Sequence, residues 1–196
     1  MKHRWPWMGL GAMAILGAAL LFLNFHAAVS NTQSERNISS VGLGEGLPQA
    51  MRCRERISLA LVGEGQLVGA LQEALVAQMH NAGIGDTDLV RGLEPASETP
   101  VLVVKVEEPD LLWTPFYAAS RLSVQASYSS NGDNTLMGDT PVTVDNSNGP
   151  VLTMHAEYQV DDRSWGLISR PGYHQTLAAH VAHDIVATLK ELYKVP

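Results

Sequence analysis

The segment 116–128, FYAASRLSVQASY, decides the fold that this sequence predicts. Apolar and polar side chains alternate along most of it, which is the pattern of a β-strand with one buried face. A second segment, VLTMHAEYQV at 151–160, alternates in the same way. Two strands of this kind predict an antiparallel sheet that buries one of its faces and leaves the other in water.

Two amphipathic helices are predicted to cover the apolar face of that sheet. Residues 66–80 and 173–193 both repeat apolar side chains at spacings of three and four. Shorter apolar segments at 57–62, 101–107 and 86–93 add strands, the last one at an edge. The order of elements predicts an α+β two-layer sandwich. Its sheet is mainly antiparallel, has about four strands and carries two helices on one face.

An N-terminal membrane helix is predicted to precede this domain, within residues 1–29. Residues 8–23 form an uncharged apolar run, and extension to Val29 gives a length that spans a bilayer. Lys2 and Arg4 precede the run, which predicts a cytoplasmic N-terminus and an extracytoplasmic 31–196. The alternative is a leader peptide cleaved near Ser30, which would release a secreted or periplasmic protein.

A flexible linker is predicted over residues 30–50, ahead of a folded domain at 51–196. The linker segment is rich in Ser, Asn and Gly and has no apolar period. The net charge of −7 argues against nucleic acid as a partner. The single cysteine excludes an intrachain disulfide and a multi-cysteine metal site, and no cofactor motif is present.

A glycine-rich turn at Gly63, Gly65 and Gly69 follows a predicted strand and opens a predicted helix. That context suits a dinucleotide-binding turn, but the third glycine falls one residue late for that motif. A tight strand-to-helix connection explains the glycines more simply. Binding of a small ligand by the free amides at the start of the helix is a third functional hypothesis.

A polar cluster on the last helix is the second functional hypothesis, a metal site. His180, His183 and Asp184 share one helix face, and the spacing of three lets both imidazoles reach one ion. A zinc site needs a further protein ligand, for which His155 or His174 would have to come close. A solvated helix face explains the same residues.

Two apolar segments suggest a surface for a protein partner. Leu112, Trp113 and Phe116 stand before the long strand, and Trp165 and Leu167 stand before the last helix. An antiparallel sheet would bring both segments to one end, where they either pack on each other or form an exposed contact patch. The first functional hypothesis is therefore a non-enzymatic envelope protein, anchored in the membrane through 8–29, that binds or assembles with a protein partner.

Overall fold

The computed structural model describes residues 24–43, 57–84, 87–90, 99–130, 132 and 151–193. These residues form seven strands and two helices. The strands are β1 (His26–Leu43), β2 (Ile57–Val62), β3 (Thr87–Val90), β4 (Val101–Val106), β5 (Asp110–Thr114), β6 (Tyr117–Ser129) and β7 (Val151–Ile168). The helices are α1 (Gln66–Asn81) and α2 (Arg170–Tyr193).

The strands join in one mixed sheet in the order β1-β7-β6-β4-β2-β3, with β5 paired to β6. The pairs β1–β7, β6–β7, β4–β6 and β5–β6 are antiparallel, whereas β2 runs parallel to both β3 and β4. The prediction of an α+β fold is confirmed, but the predicted four strands are too few and the sheet is not purely antiparallel. The parallel β2–β3 pair arises because α1 carries the chain back to the end of the sheet at which β2 began.

One apolar core lies between the sheet and the helices, as the periodicity predicts. Every second residue of β6 and β7 points into this core, including Leu122, Val124, Tyr158 and Val160. The helices bury the expected apolar residues, which are Leu67, Leu71, Leu75 and Met79 in α1 and Leu177, Val181, Ile185 and Leu189 in α2. The helices therefore leave the other face of β1, β7 and β6 uncovered.

The predicted linker is wrong over residues 30–43, because this segment belongs to β1. Strand β1 pairs with β7 along its whole length, from His26 opposite Ile168 to Leu43 opposite Val151. The rest of the predicted linker, 44–50, lies outside the described residues. The folded domain accordingly includes β1 and does not begin at residue 51.

Ala28 and Ile38 of β1 pack against the core, and polar contacts join the middle of β1 to β7 and α2. The core-facing side chains there bond to partners on β7 and α2. The pairs are Ser30 with Ser164 (2.8 Å), Thr32 with Asp162 (2.6 Å), Ser34 with Asp184 (2.6 Å) and Arg36 with Glu191 (3.5 Å). Because polar side chains occupy both faces of β1, the strand lacks the alternation that marks a half-buried strand.

No helix among the described residues is both long and apolar enough to cross a membrane. The apolar run 8–23 lies outside the described residues. The predicted extension of the membrane helix to Val29 is wrong, because His26 to Val29 lie in β1.

Candidate functional site

Four exposed apolar side chains lie at one end of the sheet and define what we call the apolar corner. They are Val29 (77% exposed), Leu112 (58%), Phe116 (65%) and Trp165 (49%). Strand register explains their proximity, because Val29 and Tyr117 flank Trp165 on either side. Leu112 lies opposite Ala119 on β6, which places it on the same uncovered face. The Tyr117 and Trp165 rings are 5.6 Å apart at a tilt of 49°.

Phe116 lies in the turn between β5 and β6, and hydrogen bonds hold the backbone of this turn in place. The amide of Gly166 donates to the carbonyl of Phe116 at 3.1 Å, and the amide of Ile168 donates to the carbonyl of Pro115 at 2.9 Å. Within the turn, the Thr114 hydroxyl donates to the carbonyl of Tyr117 at 2.8 Å. The end of β7 therefore holds the tip of this hairpin in place.

The two predicted apolar segments do meet at one end, but their residues divide between core and surface. Leu112 and Trp113 lie in β5, Phe116 lies in the turn that follows it, and Trp165 and Leu167 lie at the end of β7. Trp113 is half-buried and packs against the core, and Leu167 is half-buried opposite Ala27. Leu112, Phe116 and Trp165 remain exposed. Sequence reasoning missed Val29, because residue 29 was assigned to the membrane helix.

The glycine-rich turn, where β2 leads into α1, lies away from the apolar corner, because Val62 is opposite Lys105 and Lys105 is opposite Gln125 of β6. Gly63 and Gly65 have φ angles of 143° and 102°, a region that favours glycine. A Cβ on Gly63 would also stand 3.1 Å from the carbonyl oxygen of Val106. Gly69 already lies inside α1, with nothing within 4 Å of the position of its Cβ. Two of the three glycines therefore serve the connection, and the third has no steric role.

Replacing Gly69 with alanine is expected to raise the free energy of unfolding by about 0.5–1 kcal/mol, because alanine loses less backbone entropy in a helix. Urea unfolding of the full chain in mild detergent measures this change. A destabilised Gly69→Ala protein would instead mean that this position of the helix has no room for a side chain.

The predicted metal ligands lie on α2, but no further protein ligand is brought together with them. Among the described residues, no three His, Cys, Asp or Glu side chains are grouped so that they could hold a metal ion. Asp184 accepts the hydrogen bond from Ser34. His155 lies on the uncovered face of β7, where it bonds to Ser127 at 2.9 Å, and is therefore separated from α2 by the sheet. His174 is buried, and this burial lowers its pKa.

An open cavity of about 790 Å³ lies beside these histidines. His26, His180 and His183 line it together with the side-chain amides of Gln78 and Gln175. The ring of His26 stacks on Tyr173 at 6.4 Å between centroids. The cavity is a broad surface depression. The Nε2 atom of His26 is buried and has no hydrogen-bond partner among the described residues.

A buried polar network around Asp162 is the feature that sequence reasoning missed. The Asp162 carboxylate is 2% exposed and accepts hydrogen bonds from the hydroxyls of Thr32 (2.6 Å), Ser164 (2.9 Å) and Tyr173 (2.8 Å). The Tyr173 hydroxyl also bonds to Ser120 at 3.2 Å. Burial and the adjacent carboxylate raise the pKa of Tyr173, so that its hydroxyl remains a donor.

The Asp162 network, formed by these five residues, joins β1, β6, β7 and α2. Its sequence signal was the presence of Ser120, Asp162 and Ser164 at core-facing positions of otherwise apolar strands. Buried polar groups of this kind must be hydrogen-bonded, and here the partners come from four different elements. The network is therefore a structural clamp at the apolar-corner end of the sheet.

No family model matches this chain, and no curated protein matches it. Among solved structures, it is similar to a single-residue variant of the PelC dodecamer from Paraburkholderia phytofirmans, at 14% identity and a TM-score of 0.38, over 77% of this chain and 93% of that one. It is also similar to a minor lipoprotein from Acinetobacter baumannii, at 14% identity and a TM-score of 0.33, over 68% of this chain and 94% of that one. Both scores are low, and similarity at this level carries no functional assignment.

Proposed function

We propose that this chain is a membrane-anchored extracytoplasmic protein that binds a protein partner, with a role in assembly rather than catalysis. The observation that carries the proposal is the open face, by which we mean the helix-free side of β1, β7 and β6. On β1 every second side chain from residue 29 to residue 39 is exposed, and on β7 every second side chain from residue 155 to residue 165 is exposed. A sheet face that the described residues leave uncovered is available to another molecule.

The size and chemistry of the open face suit a protein partner. Three strands paired over the length of β6 present roughly 600 Å², close to the ~800 Å² per partner of a standard interface. The face carries charges of both signs, such as the Arg121–Asp161 pair at 3.0 Å, together with many amides and hydroxyls. Mixed polar surfaces of this kind select a partner by complementary hydrogen bonds and charges.

The start of β1 supports retention of the N-terminal segment as an anchor. Cleavage near Ser30 would remove His26 to Ser30, which pair with Ile168 to Ser164. It would also remove the hydrogen bond between the Ser30 and Ser164 hydroxyls. An intact β1 therefore favours a chain that continues uninterrupted from the apolar run 8–23 into the sheet.

The topology is tested by expressing the full chain in a bacterial host and measuring its intact mass and its location. We expect Met1 to be retained, the chain to stay in membranes after alkaline carbonate extraction, and protease added to spheroplasts to digest residues 31–196. A cytoplasmic marker protein that resists the protease is the control. A soluble chain that begins at Asn31 would contradict the anchor.

The partner surface is tested with a photo-crosslinking residue placed at Gln33 on the open face or at Lys190 on α2, both exposed. We expect one discrete protein adduct from position 33 and none from position 190. The adduct should be lost in a Gln159→Arg background, since Gln159 lies on the same face, and kept in a Lys190→Glu background. Equal adducts from both positions would exclude the open face as the specific surface.

A further inference from the structure

Four of the five exposed large apolar side chains of the described residues lie at one end of the sheet. Val29, Phe116 and Trp165 stand where β1 begins, β6 begins and β7 ends. Leu112 lies beside them, whereas Val62 ends β2 level with Gln125, eight residues along β6 from Tyr117. The exposed apolar surface of the described residues is therefore concentrated where β1 begins and β7 ends.

The same end of the sheet is the point at which the chain arrives from the apolar run. His26, the first residue of β1, follows Leu23 by three positions. Three residues span at most about 10 Å. If 8–23 lies in the bilayer, as the proposed function has it, the apolar corner must lie close to the bilayer surface, and the far end of β6 stands about 40 Å away from it.

The connection between the apolar run and the sheet leaves the domain little freedom to rotate away from the membrane. The amide of Phe25 donates to the Ser169 hydroxyl at 2.8 Å, and the Ser169 hydroxyl donates to the carbonyl of Phe25 at 2.7 Å. The amide of Ser169 also donates to that carbonyl, at 3.1 Å. Phe25, the second described residue, is thus fixed to the start of α2, which leaves only a short connection between the apolar run and the sheet.

The chemistry of the corner fits the interface between headgroups and acyl chains. Trp and Tyr favour this region because their rings are apolar and their N–H or O–H groups are polar, and Tyr117 and Trp165 supply both. Phe116 projects from a rigid hairpin tip and offers a side chain that can enter the acyl region. Arg163 and Arg170 are exposed close by, where headgroup phosphates would meet them.

We infer that the apolar corner rests on the lipid bilayer, with Phe116, Leu112 and Trp165 inserted at the headgroup level. This inference relies on the membrane anchor of the proposed function and deepens it. It assigns to lipid the residues that the sequence suggested for a protein partner. In this orientation the plane of the open face is parallel to the membrane normal. A protein partner would then approach the open face along the membrane surface.

The inference is tested by depth-dependent quenching in a system that contains no other protein. The full chain with Cys53→Ser and Phe116→Cys is labelled with an environment-sensitive fluorophore. It is reconstituted in vesicles of phosphatidylcholine and phosphatidylglycerol, with or without brominated acyl chains. The matched control carries the label at Ser39, which is exposed on the same strand face as Val29 but near the far end of β1. A second variant, Leu112→Cys, guards against a folding defect peculiar to position 116.

We expect the labels at 116 and 112 to lose most of their emission in brominated vesicles and the label at 39 to lose none. Unquenched, water-like emission from 116 and 112 in chains that resist carbonate extraction would overturn the lipid contact and leave the corner free for a protein. Chains that carbonate removes from the vesicles would instead overturn the anchor itself. Equal quenching at all three positions would also overturn the inference, because the domain would then have no preferred orientation.

Discussion

Replacing Asp162 with alanine is expected to lower the free energy of unfolding by about 3 kcal/mol, because three donors, two of them fully buried, lose their acceptor at once. The hydroxyls of Thr32, Ser164 and Tyr173 all donate to this carboxylate. Thr32 and Tyr173 come from β1 and α2, so the substitution weakens the junctions of both elements with β7, and it also removes the acceptor of Ser164 within β7. Urea unfolding of the full chain in mild detergent, followed by far-UV circular dichroism, measures the loss.

The neighbouring residue supplies a matched control for this substitution. Asp161 points to the opposite face, where it accepts a hydrogen bond from Arg121 at 3.0 Å and both side chains are exposed. A surface ion pair of this kind contributes less than about 1 kcal/mol, so Asp161→Ala should have a small effect. Similar losses for Asp161→Ala and Asp162→Ala would show that the Asp162 network does not carry the stability assigned to it.

Replacing Gly172 with alanine is expected to lower the free energy of unfolding by about 2–3 kcal/mol, as overpacking against backbone does. The added Cβ would stand 2.2 Å from the carbonyl oxygen of Phe25, 2.5 Å from its carbonyl carbon and 2.8 Å from the Ser169 hydroxyl oxygen. Two of these atoms belong to the backbone and cannot rotate aside. The start of β1 must therefore move away from α2.

Hydrogen exchange at residues 25–30, together with urea unfolding, measures this displacement. We expect faster exchange there in Gly172→Ala and little change in the middle of β6. The control is Gly69→Ala, which adds the same methyl group to a helix without a clash. Alanine intrinsically favours a helix, so a stabilised Gly172→Ala protein would mean that the junction between Phe25 and α2 has room for the added methyl group.

The elements that the sequence predicted correctly are those that bury an apolar stripe. Strands β6 and β7 and both helices follow from periodicity because the core selects side chains at every second or every third to fourth position. Strand β1 could not be predicted in this way. Its core-facing Ser30, Thr32 and Ser34 meet hydroxyl or carboxylate partners, so its composition is that of a linker even though it forms 18 residues of sheet.

The direction of the strands and the site were predictable only in part. A strand, a helix and a further strand in succession are typical of a parallel crossover, and this signal was present at 57–106 but was outweighed by the two alternating strands. Leu112, Phe116 and Trp165 could be predicted to share one end because strand pairing brings them there. Their exposure depends on which face each one occupies, and Trp113, one position from Leu112, faces the core instead.

The pairing of β1 with β7 also determines the order in which the sheet can be completed. Phe25 and Ser169 are 144 positions apart, and β7 is the last of the described strands. During synthesis β1 therefore emerges first and remains unpaired until almost the whole domain has followed it. Contacts so distant in sequence form slowly, and an unpaired strand edge is prone to misassociation in the interval. The polar character of β1 lowers that risk, since its Ser, Asn, Thr and Gln side chains are well solvated and do not drive association with an apolar surface.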